Sequence, residues 1–412
     1  MRAMDTRQAV GTSTERYNKK KEAIIAAAVG ILNRRGVRGM TLADVAASVD
    51  LITTSVTYYF KKKEDLAVAC YLRGIARFDA LIAEALQEAD PPARLLKFLD
   101  LYLAMHRCIR EGDEAPIAVF NDIRALKEPH LPIVGKAYGQ FFRKVRSLFR
   151  APGYEWLDRR MSTARTHMLM EQLYWSVTWL PRYDLDDYGR VRDRMFDIMA
   201  HGVAPEGASW KPARLPELPS AADPQESQRE TFLKAATKLI NQRGYRGASV
   251  EKISEQLNVT KGSFYHHNEA KDDLVVECFE RTFDAMRRVQ SAALAERGNY
   301  WHKISSAAAT LVEFQLSDRG PLLRSSALSA LPEPMRIAMV ERANRISERF
   351  AAMISDGVAE GSIRAVDPYI AAQMLNATLN AAADLPFTIP GVTALDAPTL
   401  YAKPVLMGLF SR

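Results

Sequence analysis

Two stretches of the chain match each other without a gap. The first, residues 22–74, reads EAIIAAAVGILNRRGVRGMTLADVAASVDLITTSVTYYFKKKEDLAVACYLRG, and the second, residues 230–282, reads ETFLKAATKLINQRGYRGASVEKISEQLNVTKGSFYHHNEAKDDLVVECFERT. Each residue of the first corresponds to the residue 208 positions later, and Cys70 and Cys278 are one of many identical pairs. The period is too long for a solenoid, so it predicts duplication of a whole domain.

The apolar residues of each stretch recur at spacings of three and four, which predicts amphipathic helices. The apolar stripe of the first helix in copy one is Ile24, Ile25, Ala28, Ile31 and Leu32. Gly36 is placed to end this helix, and Thr41 or its counterpart Ser249 to cap the next one. A short break at residues 50–51 then separates two short helices. Two short helices joined by a tight turn and packed on a third predict a helix-turn-helix unit.

The second short helix of such a unit lies in the DNA major groove. In copy one we expect Val56 and either Tyr59 or Phe60 to face the core. The expected outward side chains are Thr53, Thr54, Thr57 and Tyr58 in copy one, and Lys261, Gly262, Tyr265 and His266 in copy two. Hydroxyls, small residues and aromatic groups with polar tips suit contacts to base edges and phosphates. Lys63 and Lys271 open the following helices, where a lysine and free N–H groups bind phosphate.

These residues resemble the TetR/AcrR family of transcriptional regulators. The segment VTKGSFYHHNEAKDDL, residues 259–274, is similar to the family's recognition-helix signature, and TYYFKKKEDL, residues 57–66, is a weaker match. The resemblance implies a three-helix DNA-binding head followed by a helical domain that binds a small ligand and dimerises. It also implies the DNA-contacting set: Thr41, Thr53, Thr54, Thr57, Tyr58, Tyr59, Lys63, Ser249, Lys261, Gly262, Ser263, Tyr265, His266, His267 and Lys271.

Each copy departs from the family pattern. Copy one has Thr57 where tyrosine is usual and Ile52 where serine or threonine would cap the helix. Copy two has Asn268 where phenylalanine is usual, which places an amide in the expected core of the head. Copy one therefore keeps the core with an altered reading surface, and copy two keeps the better reading surface.

The expected fold is all-α, with two tandem copies of a helix-turn-helix head followed by a helical ligand-binding and dimerisation domain. The predicted boundaries are 1–66 for the first head, 67–203 for the first helical domain, 204–227 for a Pro- and Ala-rich linker, 228–274 for the second head and 275–412 for the second helical domain. Residues 1–203 are called copy one below, and residues 204–412 copy two.

Both copies end in a helix, a loop and another helix. In the resembled family these last two helices form a four-helix dimer interface. Two copies in one chain predict that this bundle forms internally, as a pseudo-dimer; the alternative is a homodimer of tandem chains with four heads. Unlike recognition helices predict an imperfect palindrome with two dissimilar half-sites.

Met and aromatic residues at helical spacing predict a ligand pocket; the alternative is that they form ordinary core. The candidate residues are Met105, His106, Phe120, His167, Trp175, Phe314, Met353, Met374 and Asn376. They would suit a small apolar or amphipathic effector.

Composition excludes several protein classes. Three cysteines are too few for a disulfide framework. No apolar run reaches the ~18–20 residues of a membrane helix, and the first residues lack the apolar core of a signal peptide. We therefore expect a cytoplasmic protein. The sequence has no HExxH, CxxC, GxSxG or Walker pattern, and the adjacent His266 and His267 point about 100° apart on a helix, so neither an enzyme, a cofactor nor a metal is expected. Cys70 and Cys278 are either buried thiols or redox sensors.

The net charge of +7 is concentrated in copy one. Residues 16–63 carry 10 basic and 3 acidic side chains, whereas residues 224–271 carry 8 and 5. This difference favours head one for affinity to the phosphate backbone and head two for base reading. The resemblance to the TetR/AcrR family implies a ligand-released repressor that binds a double-stranded operator; the alternative is a helical ligand-binding or scaffolding protein without DNA readout.

Overall fold

The computed structural model describes residues 3–120, 123, 126–216, 224–244, 252, 254–255 and 271–412. This part of the chain contains helices, turns and no strand, which confirms the all-α prediction. The helices are α1 (Ala3–Gly39), α2 (Leu42–Ala47), α3 (Thr53–Tyr59), α4 (Lys63–Ala85), α5 (Pro91–Glu111), α6 (His130–Arg146), α7 (Arg159–Trp179), α8 (Tyr188–His201), α9 (Pro224–Arg243), α10 (Lys271–Ala295), α11 (Tyr300–Leu316), α12 (Glu333–Glu360), α13 (Pro368–Ala381), α14 (Leu385–Thr388) and α15 (Lys403–Met407).

The chain forms two compact units that do not coincide with the two copies. The first comprises Met1–Ala80 with Cys108–Phe141, and the second comprises Leu81–Arg107 with Phe142–Arg412. The first unit therefore holds head one, most of α4 and residues 108–141, which include Phe120 and most of α6. The second unit holds the rest of copy one together with all of copy two.

In the first unit, the three helices of head one pack as the sequence predicts. Gly36 has φ +62°, a left-handed conformation that favours glycine and breaks α1 just before α2. The equivalent Gly244 has φ +70° directly after α9. Thr41 caps α2, because its hydroxyl oxygen accepts a hydrogen bond from the Asp44 amide at 3.1 Å. Val45 of α2 and Val56 of α3 are fully buried.

In the second unit, α7 of copy one packs across α13 of copy two. Polar side chains join the two helices: the Gln172 amide donates to the Thr378 hydroxyl at 3.0 Å, and the Trp175 indole N–H donates to Gln373 Oε1 at 2.9 Å. At the end of α7 near Asp158, the buried Arg165 donates to the carbonyl of Leu409 at 2.7 Å. The last helices of the two copies therefore share one interface inside a single chain.

Backbone atoms of the two copies also meet closely where α8 ends. The Leu409 amide donates to the Met199 carbonyl, and the Val203 amide donates to the Leu406 carbonyl, both at 2.7 Å. A Cβ atom added at Gly202 would lie 2.3 Å from the Leu406 carbonyl oxygen. This crossing therefore requires a residue without a side chain.

One polar contact recurs in both copies and ties each head to the loop that follows. Asn33 donates to the Ile117 carbonyl and accepts from the Val119 amide, both at 2.9 Å. Asn241, the residue 208 positions later, donates to the Leu322 carbonyl at 2.9 Å and accepts from the Arg324 amide at 3.0 Å. The loop residues correspond at an offset of 205, so the stretch between the asparagine and the loop is three residues shorter in copy two than in copy one.

A second recurring contact lies one helix further along. Arg73 of α4 donates to the Pro116 carbonyl at 3.2 Å and pairs with Glu22 of α1. Its counterpart Arg281 donates to the Pro321 carbonyl at 2.9 Å and pairs with Glu230 at 2.7 Å. The sequence repeat is thus also a repeat of the same contacts.

The predicted domain boundaries fall inside helices at several points. Residues 66–67 lie within α4 and residues 274–275 within α10, so each head shares a continuous helix with the domain after it. The predicted linker overlaps the start of α9 at Pro224. Within the linker, the Ser209 carbonyl accepts from the Trp301 indole at 3.2 Å, and the Ala213 amide donates to the Ser306 hydroxyl at 2.8 Å, so this part is attached to α11.

Replacing the asparagine that joins a head to its loop tests this contact. Asn241→Ala leaves the Arg324 amide and the Leu322 carbonyl without their partner, and we expect a loss of about 1–3 kcal/mol in the free energy of unfolding. Asn241→Asp keeps the acceptor and should lose less. Urea unfolding followed by circular dichroism measures both, with Asn33→Ala as the matched variant in copy one. Wild-type stability in the alanine variants would contradict the assignment.

Candidate nucleic-acid interface and internal cavity

The side chains that α3 presents in head one are polar and accessible. Thr53 and Thr54 are exposed, and Tyr58 is 66% exposed. Phe60 is buried, while Tyr59 is half-buried, so Phe60 is the aromatic residue that serves the core. The exposed face carries hydroxyl groups that can reach base edges and phosphates.

The N-terminus of α3 has no side-chain cap. Ile52 stands at that position, makes no capping hydrogen bond and is 71% exposed. Thr57 donates instead to the backbone carbonyls of Thr53 and Thr54, at 3.2 and 2.9 Å. Free N–H groups at the start of a helix bind anions, and an exposed isoleucine beside them suits contact with a thymine methyl.

Two other candidate phosphate contacts lie on head one. Lys63 is the first residue of α4, and its ammonium group donates to the Arg38 carbonyl at 2.7 Å. Lys61 and Lys62, directly before it, are exposed. The Thr41 hydroxyl also donates to the Asp44 carboxylate at 2.8 Å, and its hydrogen bond is the main cause that lowers the pKa of that carboxyl.

Tyr17 of α1 is a residue that the sequence reasoning missed. Its ring lies 4.8 Å from the ring of Tyr59 and 6.1 Å from that of Tyr58, measured between centroids. The Tyr58 and Tyr59 rings are 5.2 Å apart. The three tyrosines therefore join α1 to the reading helix, and the only sequence signal was an aromatic residue beside the basic run of residues 19–21.

The copy-two candidates fall outside the described residues almost entirely. These are Ser249, Lys261, Gly262, Ser263, Tyr265, His266 and His267, together with Asn268. Lys271 is the first residue of α10, the position that Lys63 has in α4.

A cavity of about 20 Å³ lies in the second unit, between α10, α12 and α13. This volume holds about one water molecule. Its lining residues are Trp175, Phe279, Thr282, Phe283, Met286, Leu323, Ser325, Leu328, Ala343, Ile346, Asn376, Ala377 and Asn380. The wall is mostly apolar and aromatic with a few amide and hydroxyl groups.

The predicted ligand-binding residues are only partly gathered at this cavity. Trp175 and Asn376 line it. Elsewhere, Met105, Met353 and Met374 are buried core residues, as the alternative reading of the methionines had it. The guanidinium of Arg319 lies over the Phe314 ring at 5.9 Å.

The remaining candidates have other surroundings. His106 packs against the Tyr102 ring at 4.5 Å, and burial lowers the pKa of its imidazole to about 4. Phe120 lies in an aromatic cluster of the first unit, with its ring 5.9 Å from that of Phe78. His167 shares a hydrogen bond of 2.8 Å with the Tyr401 hydroxyl.

Arg324 occupies the middle of a buried polar group between the copies. It donates to Glu171 of α7 at 2.6 Å and also to Asp384. Burial alone would lower the pKa of this guanidinium, but the two carboxylates raise it above its ordinary value. Ligand atoms of His167, Glu171 and Asp384 lie within 4.8 Å of one another, as in a metal site, but the guanidinium already supplies the positive charge there.

Comparison with known proteins agrees with this geometry. The family described as "Bacterial regulatory proteins, tetR family" matches residues 24–70 and again residues 232–278, and "Tetracyclin repressor-like, C-terminal domain" matches residues 298–384. The chain belongs to the TetR family. It is a tandem member, with two family heads in one chain.

Individual relatives each match about a third of the chain. The HTH-type transcriptional repressor DhaR of Mycobacterium sp. (strain GP1) is 27% identical over 139 residues, which are 33% of this chain and 70% of DhaR. The Tn10 TetC protein of Escherichia coli is 24% identical over 161 residues, 36% of this chain and 78% of TetC. Among solved structures, the TetR family regulator PfmR of Thermus thermophilus is 21% identical, with a TM-score of 0.37, over 44% of this chain and 99% of PfmR.

The described helices of this TetR-family protein include none that is both long and apolar enough to cross a membrane. Its two matched cysteines are fully buried, and each thiol approaches a backbone carbonyl of the first helix of its head, at Ile25 and Leu233, with a distance of 3.7 Å. Burial raises the pKa of the Cys70 and Cys278 thiols to about 12. The reactive thiolate is therefore negligible at neutral pH, which favours buried thiols over redox sensors.

Thiol labelling tests this interpretation. In the native protein we expect Ellman's reagent to modify Cys108, which is half-buried, and to leave Cys70 and Cys278 intact over the same period. All three should react in guanidinium chloride. Mass spectrometry of the labelled peptides assigns the sites, and rapid native labelling of either matched cysteine would contradict their burial.

Proposed function

We propose that this TetR-family regulator is a repressor that binds operator DNA through both heads and is released by a small effector. The observation that carries the proposal is the exposed polar face of α3. The N-terminus of α3 and the start of the following helix, α4, both offer phosphate contacts beside this face. DhaR is a transcriptional repressor, and the carboxy-terminal domain is tetracyclin repressor-like, which supports repression as the sign of regulation.

On head one, Thr53, Thr54, Thr57 and Tyr58 would contact base edges, while Thr41 and Lys63 would bind phosphates. Tyr59 would act with Tyr17 to hold α3 against α1. Head two would bind a second half-site through Ser249, Lys261, Gly262, Ser263, Tyr265, His266, His267 and Lys271. Because the two reading sets differ, the operator would be an imperfect palindrome.

The packing of α7 on α13 supports a pseudo-dimer within one chain. The family resemblance assigns dimerisation to the last two helices of each helical domain, and here those helices already have a partner in the same chain. Tight backbone contacts such as Leu409 with Met199 leave no room for a second chain at this crossing. One chain would therefore supply both heads to one operator in the cytoplasm.

Release by an effector would pass through the segment that follows α11. Leu323, Ser325 and Leu328 line the cavity, and the neighbouring Arg324 amide is held by Asn241 of α9. A molecule that widens the cavity by displacing this segment or α10 would act on head two, because both are attached to it. The effector would thereby shift the population toward a conformation that binds the operator less well.

Mobility-shift and footprinting assays with the DNA upstream of the protein's own gene and its neighbours test the proposal. We expect salt-sensitive binding and protection of two dissimilar half-sites. Absence of binding to all of these regions would contradict it and would favour a ligand-binding or scaffolding protein instead.

Two substitutions on head one separate the proposed roles. Lys63→Ala should weaken binding to all sequences and lower the slope of log affinity against log salt by about one, because one phosphate contact is lost. Tyr58→Ala should change the preferred half-site sequence, by about 1–3 kcal/mol at the affected base pair. Fluorescence anisotropy over a salt series measures both effects. Lys136→Ala, an exposed lysine on α6, is the control for loss of charge alone, and an equal effect there would contradict the role of Lys63.

A further inference from the structure

The two copies can be compared residue by residue around the cavity. Residues of α4 and α10 correspond at an offset of 208, and residues of the segment held by Asn33 or Asn241 correspond at an offset of 205. The second offset continues into α6 and α12, because the buried positions 134, 141 and 145 of α6 match the buried positions 339, 346 and 350 of α12. Each lining residue of the cavity on these elements therefore has a definite counterpart in copy one.

The counterparts in copy one are larger at two decisive positions. Ser325, which lines the cavity, corresponds to Phe120, and Ala343 corresponds to Tyr138. The rings of Phe120 and Tyr138 contact each other in an edge-to-face arrangement at 5.7 Å. Two side chains that leave room in copy two are thus replaced by two aromatic rings in mutual contact.

Other rings complete the cluster in copy one. Phe78, the counterpart of Met286, lies 5.9 Å from the Phe120 ring and 6.0 Å from the Phe141 ring. Tyr138 and Phe141 are 6.1 Å apart. These separations are those of packed aromatic pairs. In copy one, aromatic rings in mutual contact therefore occupy the positions where copy two has Ser325 and Ala343.

The residue opposite Phe120 is small and so leaves room for the large ring. Gly74 of α4 stands where copy two has Thr282, and a Cβ atom added there would lie 3.4 Å from the Phe120 ring and 3.1 Å from Ile117. Copy one therefore combines a large residue on the loop with a glycine on the helix, whereas copy two combines Ser325 with Thr282.

We propose that each chain has one effector site, the cavity of copy two, and that copy one carries a permanently filled counterpart. This inference rests on the proposed function, because it concerns the effector of that regulator. Head one would then be a constant DNA-binding element, and head two the element that the effector controls. A single binding event would act on one half-site rather than on both.

The lining also indicates the class of effector. None of the residues that line the cavity is charged, so a charged group would be buried there without a counter-ion, which is unfavourable. Trp175, Phe279 and Phe283 offer aromatic surface, and Asn376 offers an amide. We infer a neutral, largely apolar molecule with few hydrogen-bonding groups. Since the cavity now holds about one water molecule, such a molecule has to push its walls apart to enter.

Binding stoichiometry of a neutral apolar dye tests the proposal. With N-phenyl-1-naphthylamine, whose fluorescence rises in apolar surroundings, we expect one dye per chain for the wild type. The double variant Ser325→Phe with Ala343→Tyr transfers the copy-one side chains into copy two and should abolish binding. The reverse variant, Phe120→Ser with Tyr138→Ala, should bind two dyes per chain.

Each result decides the proposal. Two dyes on the wild type, or one dye retained by the variant filled in copy two, would overturn it, as would absence of binding to the wild type. The reverse variant opens a packed cluster, and the filled variant adds two rings where about one water molecule now fits, which risks overpacking. The filled variant therefore also carries Thr282→Gly, because copy one has Gly74 opposite Phe120. Either variant is decisive once circular dichroism shows a native helix content, and the stoichiometry of the wild type is decisive by itself. DNA binding is measured separately by anisotropy: its absence beside the expected stoichiometries contradicts the proposed function and leaves the asymmetry of the two sites standing.

Discussion

The arrangement of the second unit depends on Arg324. Its side chain is 12% exposed and bridges Glu171 of copy one and Asp384 of copy two, while its backbone amide is held by Asn241 of head two. A guanidinium in this setting has to be paired, because removing one partner of a buried ion pair costs about 3–5 kcal/mol. The same residue thus joins the two copies, positions the segment that lines the cavity and attaches that segment to a head. The contacts of Arg324 therefore restrict movement of the two copies, of the segment that lines the cavity and of head two relative to one another.

Duplication explains why some contacts are the same in both copies and why the cavity differs between them. The asparagine and arginine contacts from each head to its loop are the same in both copies, because every head has to be anchored to the domain behind it. The cavity is different, since Phe120 and Tyr138 fill in copy one what Ser325 and Ala343 leave open in copy two. Two copies held in one chain are free to diverge in this way, whereas identical subunits change together.

The sequence was sufficient for the helical fold, the two heads and the local features of head one. Gly36, Thr41 and Val56 have the conformations or burial that their residue types predict, because these depend on a few neighbours in the chain. The cavity could not be predicted in this way. Trp175 and Asn376 meet there through the crossing of α7 with α13, which joins distant parts of the chain. Phe120 has the residue type of a pocket lining, but its ring packs against other rings and occupies the space. Tyr17 was missed because its partners lie about 40 residues away in the chain.

The central claim is that one chain provides both heads to one operator, and the mass of the protein–DNA complex tests it most directly. Size-exclusion chromatography with multi-angle light scattering on a duplex that carries both half-sites gives the number of chains bound. A pseudo-dimer predicts a single chain of 46.1 kDa per duplex, with both half-sites protected. A complex that contains two chains on this duplex would contradict the pseudo-dimer and would mean that each tandem chain needs a second one to bind its operator.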